Sequence, residues 1–152
     1  MIKKYLISMF LLFSSSLTVA ESLNSNTNWA DASALARQNH TVIMVVFESE
    51  DCGYCVRLKQ EVLKPFSDST EQNPPVIKEI DIYAGGKITD FNGDVIRSRQ
   101  FKDRYQVFAV PTLLILDPDG NLLADPIVGY NSQEEYERLL QDTLLVSYDA
   151  LD

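Results

Sequence analysis

The chain has 152 residues, 45% of them hydrophobic and 23% charged, which is the composition of one globular domain large enough to bury its own core. Its 22 Asp and Glu against 13 Lys and Arg give a formal net charge of -9, so nucleic acid is not an expected partner. The one CxxC pair has no second CxxC to complete a zinc site, and the only histidine, His40, falls at an expected helix end, so no metal is expected.

At the amino end, Lys3 and Lys4 precede an apolar run from Tyr5 to Phe13, and Thr18-Val19-Ala20 offers small residues to a peptidase. The run is short against the ~20 apolar residues of a spanning helix, and Ser8 and Ser14 to Ser16 interrupt it. Residues 1 to 20 are therefore expected to be a signal peptide cleaved after Ala20, leaving an exported protein that is not embedded in the membrane. Loss of the two lysines takes the net charge from -9 to -11. No cysteine stands directly after the expected cleavage site to carry a lipid.

Residues 21 to 28 read as a flexible lead-in, and Trp29 to Gln38 as a first helix rich in Ala, Leu and Arg. Thr41 to Phe47 is a continuous β-branched and apolar run, the pattern of a central strand buried on both faces. Glu48-Ser49-Glu50-Asp51 then forms a short loop into a second helix. In that helix Val56, Leu58, Val62 and Leu63 share an apolar face until Pro65 ends the pattern. Pro74 and Pro75 introduce a strand over Val76 to Tyr83.

Residues 84 to 95 are expected to be an inserted hairpin turning at Asn92-Gly93. Ser98 caps a short helix through Tyr105. Thr112 to Leu116 and Asn121 to Val128 are read as an antiparallel pair joined by the Asp117-Pro118-Asp119-Gly120 turn. Ser132 and Glu135 form a capping box for a last helix whose Tyr136, Leu139, Leu140 and Leu144 make an apolar stripe. The order β, α, β, α, β, β, α after the first helix gives a single α/β domain, a mixed central sheet flanked by helices, over residues 29 to 147. Residues 148 to 152 are left as a C-terminal tail.

Cys52 and Cys55 are separated by two residues at the start of the second helix. A bridge between them closes so short a loop that it removes only about 2 kcal/mol of chain entropy, a weak structural reason for the pair. The chemical reason is stronger. A helix start presents unpaired N–H groups and partial positive charge to the first sulfur, favouring its thiolate. A second thiol three positions on can resolve a mixed disulfide. Cys52 is thus the expected nucleophile and Cys55 the resolving cysteine, with Gly53 and Tyr54 as tuning positions. Glu48, beside the buried strand, is the candidate proton relay, ahead of Glu50. His40 reads as a helix-end residue without a chemical role.

Four features together resemble the thioredoxin superfamily over residues 29 to 146. They are the strand ending in Phe47, the Cys52-Gly53-Tyr54-Cys55 helix start, Val110-Pro111-Thr112 before a hairpin, and Val128-Gly129 at its end. More narrowly, Asp51-Cys52-Gly53-Tyr54-Cys55 with Thr89-Asp90-Phe91-Asn92-Gly93 is similar to the periplasmic thioredoxins associated with sulfur oxidation. The resemblance implies a thioredoxin-like fold, a periplasmic location and a cis Pro111 beside the cysteines. It further implies a substrate-binding surface of Val110, Pro111 and Gly129, with the Val110 backbone holding an extended client. It implies no cofactor beyond the redox-active disulfide Cys52–Cys55, protein disulfides of exported clients as substrates, and a membrane electron donor.

The sequence departs from thioredoxins, which carry Trp before the first cysteine, Gly-Pro between the two, and a buried Asp in the preceding strand. Asp51, Gly53-Tyr54 and Val46 stand there. Gly-Tyr is the dipeptide of periplasmic disulfide isomerases, although residues 21 to 28 leave no room for their dimerisation domain. Expectation therefore favours a thiol–disulfide reductase. A disulfide isomerase or oxidase is the alternative, and a non-catalytic binding module of the same fold is a more distant one.

Overall fold

The computed structural model describes residues 28 to 69 and 73 to 151. The expected signal peptide and the lead-in up to residue 27 lie outside the described residues. Asn28, assigned to that lead-in, instead caps helix α1 (Trp29–Asn39), its Oδ1 accepting the N–H groups of Ala30 and Asp31 at 3.1 and 3.3 Å. His40 closes α1 in the left-handed conformation, φ 49°, and is a helix-end residue as expected.

Strand β1 (Ile43–Glu48) is buried from Ile43 through Phe47, and alternate side chains divide between two cores. Ile43, Val45 and Phe47 face a cluster with Trp29, Phe101 and Tyr105. Met44 and Val46 face the other, with Leu58, Val62 and Leu140. The sheet order is β2-β1-β5-β6: β1 runs parallel to β2 (Val76–Asp81) and antiparallel to β5 (Thr112–Leu116), which pairs with β6 (Ile127–Val128). A mixed sheet with helices on both faces is the α/β fold anticipated from the element order.

The second helix does not stop at Pro65. Segment α2 (Gly53–Leu58) runs through a π turn (Lys59–Leu63) into α3 (Lys64–Asp68), making one rod. A helical proline strikes the carbonyl four residues back, here that of Glu61, and the wider π turn relieves the contact. The expected hairpin forms as β3 (Lys87–Thr89) and β4 (Val95–Arg97), its second strand running past residue 95 to Arg97, and packs Ile88 and Phe91 into the first core. Helix α4 (Ser98–Arg104) begins at Ser98 rather than being capped by it. The Ser98 hydroxyl donates to Ala84 O at 2.6 Å, and the Gln100 side chain accepts the Arg97 N–H at 2.9 Å.

The strand expected over Asn121 to Val128 shrinks to Ile127–Val128 plus a bridge between Leu122 and Leu116. Pro126, lacking an N–H, stands where the ladder breaks. Helix α5 (Gln133–Leu151) covers the second core and includes most of the expected tail. The Tyr148 hydroxyl donates to Asn73 O at 3.1 Å and shares a hydrogen bond with Thr41 Oγ1 at 2.8 Å. Leu139, assigned to the apolar stripe, is 40% exposed, and Ser147 is buried in its stead. No helix among the described residues is long and apolar enough to cross a membrane.

Candidate active site

Strand β1 delivers the chain to a tight loop in which the Cys52 N–H donates to Ser49 O at 3.2 Å. Cys52 is the N-cap of the dithiol helix, in extended conformation at φ -95° and ψ 96°, and its Sγ accepts the Cys55 N–H at 3.1 Å. An N–H directed at sulfur stabilises negative charge there, adding to the field of the helix start. Cys52 and Cys55 form a disulfide, with Cα atoms 5.2 Å apart. Their exposure differs: Cys55 is buried at 1% while Cys52 is partly accessible, with Gly53 and Tyr54 exposed between them. Of the two cysteines, only the first has surface exposed to an incoming disulfide.

The register of β1 against β5 brings Pro111 to the same end of the sheet. Phe47 pairs with Thr112, so the residue before Thr112 lies beside the chain that leaves β1 for Cys52. The Val110–Pro111 bond is cis. Thr112 also pairs with Val128, and the Gly129 N–H donates to Pro111 O at 2.8 Å. Gly129 holds φ at 83°, a conformation costly for a residue with a Cβ. Cys52, Val110, Pro111 and Gly129 thus fall at one end of the sheet, and Phe108, three residues before Pro111 in the chain, is 82% exposed. Sequence reasoning passed over Phe108, because an isolated aromatic carries no periodic signal of being outside.

Glu48 is not a free carboxylate. It pairs with Lys59 Nζ at 2.6 Å, and Lys59 also holds Glu79 at 2.8 Å. Burial alone would lower the Lys59 pKa, but hydrogen bonds to both carboxylates outweigh it and hold the ammonium above its ordinary value. His40 lies at the far end of β1 from the cysteines, as its place before Ile43 requires. Among the described residues no three His, Cys, Asp or Glu side chains gather as a metal site.

A second polar cluster went unforeseen. Glu61 accepts from Arg57 Nε and a terminal guanidinium nitrogen at 3.1 and 3.2 Å, and it also accepts the Tyr130 hydroxyl. Arg57 stands over the Tyr130 ring at 5.1 Å. Hydrogen bonds from Arg57 and Tyr130 keep the Glu61 carboxyl below its usual range. Burial, then the Glu61 bond, pushes the Tyr130 phenol up to about 12. Only the four-residue spacing of Arg57 and Glu61 was visible in sequence; Tyr130 is 69 residues away.

The thioredoxin-like domain family matches residues 29 to 144. Among solved structures, the chain is similar to a thioredoxin-fold protein from Helicobacter pylori, at 19% identity and TM-score 0.58 over 73% of each chain. It is also similar to the periplasmic thioredoxin SoxS from Paracoccus pantotrophus, at 14% identity and TM-score 0.50, covering 70% of this chain and 98% of that one. The C-terminal domain of DsbD from Neisseria meningitidis gives 13% identity and TM-score 0.53, covering 75% and 90%. No curated protein matches the chain. At these identities the solved structures speak for the fold. On the family match and the cysteine pair, the chain belongs to the thioredoxin-like domain family and is a thiol–disulfide oxidoreductase.

Proposed function

We propose that the mature protein is an exported, periplasmic reductase of protein disulfides. The reduced Cys52 thiolate attacks one sulfur of a client disulfide and forms a mixed disulfide, expelling the other client sulfur as a thiolate that takes a proton from water. Cys55 then gives up its proton, attacks Cys52 Sγ and expels the second client thiol, so the client gains two electrons and two protons as the Cys52–Cys55 disulfide forms. A membrane electron donor restores the dithiol. Val110, Pro111 and Gly129 hold the client chain, Gly53 and Tyr54 tune the sulfur, and Glu48, held by Lys59, takes the Cys55 proton.

The observation that carries this reading is the unequal exposure of the two cysteines at a helix start, one partly accessible and one buried. That inequality fits a sequence of attack followed by resolution. The likeness to proteins named as a periplasmic thioredoxin and a DsbD domain supports the compartment and the kind of donor. Gly53-Tyr54 favours isomerase or oxidase activity as the second reading.

Two measurements test the proposal. Cys55→Ser is expected to accumulate mixed disulfides through Cys52 with proteins of an exported extract, and absence of such adducts would overturn the exchange mechanism. Equilibration with glutathione is expected to give a potential near about -270 mV for a reductase, whereas a value near about -120 mV would assign the oxidase.

A further inference from the structure

The π turn ties the dithiol helix to the rest of the molecule from two sides. Lys59 reaches Glu48 and Glu79 on the parallel strand pair. Glu61, two positions on and therefore on the opposite side of the coil, reaches the chain that leaves β6. There the Tyr130 hydroxyl donates to the Glu61 carboxylate, and Arg57 both bonds that carboxylate and covers the Tyr130 ring. Tyr130 is only 5% exposed, so its ring is fixed as well as its hydroxyl. Its neighbour Gly129 donates to Pro111 O at 2.8 Å. A continuous path therefore runs from the Pro111 carbonyl through Gly129 and Tyr130 to Glu61 on the dithiol helix. Electron transfer between sulfurs has no use for such a path. A polypeptide client has, because it must lie between Val110–Pro111 and Cys52 with its sulfur in line.

We propose that Tyr130 and Glu61 are positioning residues that latch the strand end carrying Pro111 to the dithiol helix and so fix the groove for an extended polypeptide disulfide. The inference rests on the function proposed for the site and adds a specificity device to it. A small disulfide, touching only Cys52 Sγ, does not sense the width of the groove. A peptide disulfide, held by the backbone on one side and the sulfur on the other, does. The Tyr130–Glu61 bond is a charge-assisted one, stronger than a neutral pair, and suited to hold two segments against thermal motion.

The test compares Tyr130→Phe, which keeps the ring under Arg57 and loses the bond, with the wild-type protein on two substrates, a short extended peptide disulfide and hydroxyethyl disulfide. The KM for the peptide is expected to rise about tenfold with kcat held, the worth of one hydrogen bond to a charged group, while the rate with hydroxyethyl disulfide stays the same. Glu61→Ala, at a partly exposed helix position, removes the acceptor and is expected to shift the same KM in the same direction. An unchanged peptide KM in either variant overturns the latch, and so does an equal loss on both substrates, which marks a merely structural role. If the wild-type protein exchanges with neither substrate, the reading of the site itself falls and takes the latch with it.

Discussion

Gly120 shows how a turn residue can be fixed by the core beneath it. Its φ is 83°, and a Cβ built there would meet Phe91 Cδ2 at 2.3 Å. Phe91 cannot step aside, since it packs against Trp29 and Phe101 with ring centroids 5.7 and 5.8 Å away. Gly120→Ala therefore combines backbone strain with overpacking and is expected to cost about 2–4 kcal/mol, read from the urea midpoint. Asp90 is buried at 2% in the hairpin loop, accepting the N–H groups of Asn92 and Asp94 and pairing with Arg104 at 2.9 Å. Burial would raise its pKa, but Arg104 and the two N–H groups outweigh it and the net shift is downward. A depressed carboxyl stabilises the fold above its unfolded pKa of about 4 and loses that contribution as pH falls through the lower folded value. Asp90→Asn is expected to cost about 2–3 kcal/mol at neutral pH and to flatten the fall in the urea midpoint on acidification. An acid profile identical to wild type would rule out this role for Asp90.

Elements that repeat a period were legible in the residues; those decided by a distant partner were not. The Thr41 to Phe47 run located the central strand because burial on both faces leaves no polar interruption. The cysteine motif was legible because helix start and thiol spacing are both local. Strand β6 was not, since its extent depends on where Pro126 breaks pairing with β5. The last turns of α5 were missed for a related reason: residues 148 to 151 carry no apolar stripe long enough to announce them, and Tyr148 earns its place through Thr41 and Asn73. The Glu61–Tyr130 contact had no local trace of its partner at all. Tyr148→Phe should lower stability by about 1 kcal/mol in chemical denaturation. A neutral result would return the segment to the status of a tail.

At the scale of the whole molecule, the two cores on either face of the sheet carry the fold, and the disulfide is an addition to it. Trp29, Phe47 and Phe101 anchor one face, and Leu58, Val62 and Leu140 the other. The bridge spans a sequence separation of 3, so its effect on unfolded-chain entropy is limited to about 2 kcal/mol. Reduced protein is accordingly expected to stay folded, as a domain that cycles between two redox states must. The sign of the small difference between those states is then informative. Oxidised and reduced forms are linked through a cycle with their unfolded counterparts, and every 30 mV separating the native potential from that of the unfolded pair corresponds to about 1.4 kcal/mol. A reductase holds its disulfide more firmly in the native state than an unfolded chain does, so the oxidised form is the more stable. An oxidase reverses the order, its reduced form being the stabilised one. Urea unfolding of both forms, with Cys52→Ser/Cys55→Ser as the redox-inert control, is expected to give the higher midpoint for the oxidised protein. A higher midpoint for the reduced protein would transfer the chain from reductase to oxidant without disturbing the fold or the order of attack by its two sulfurs.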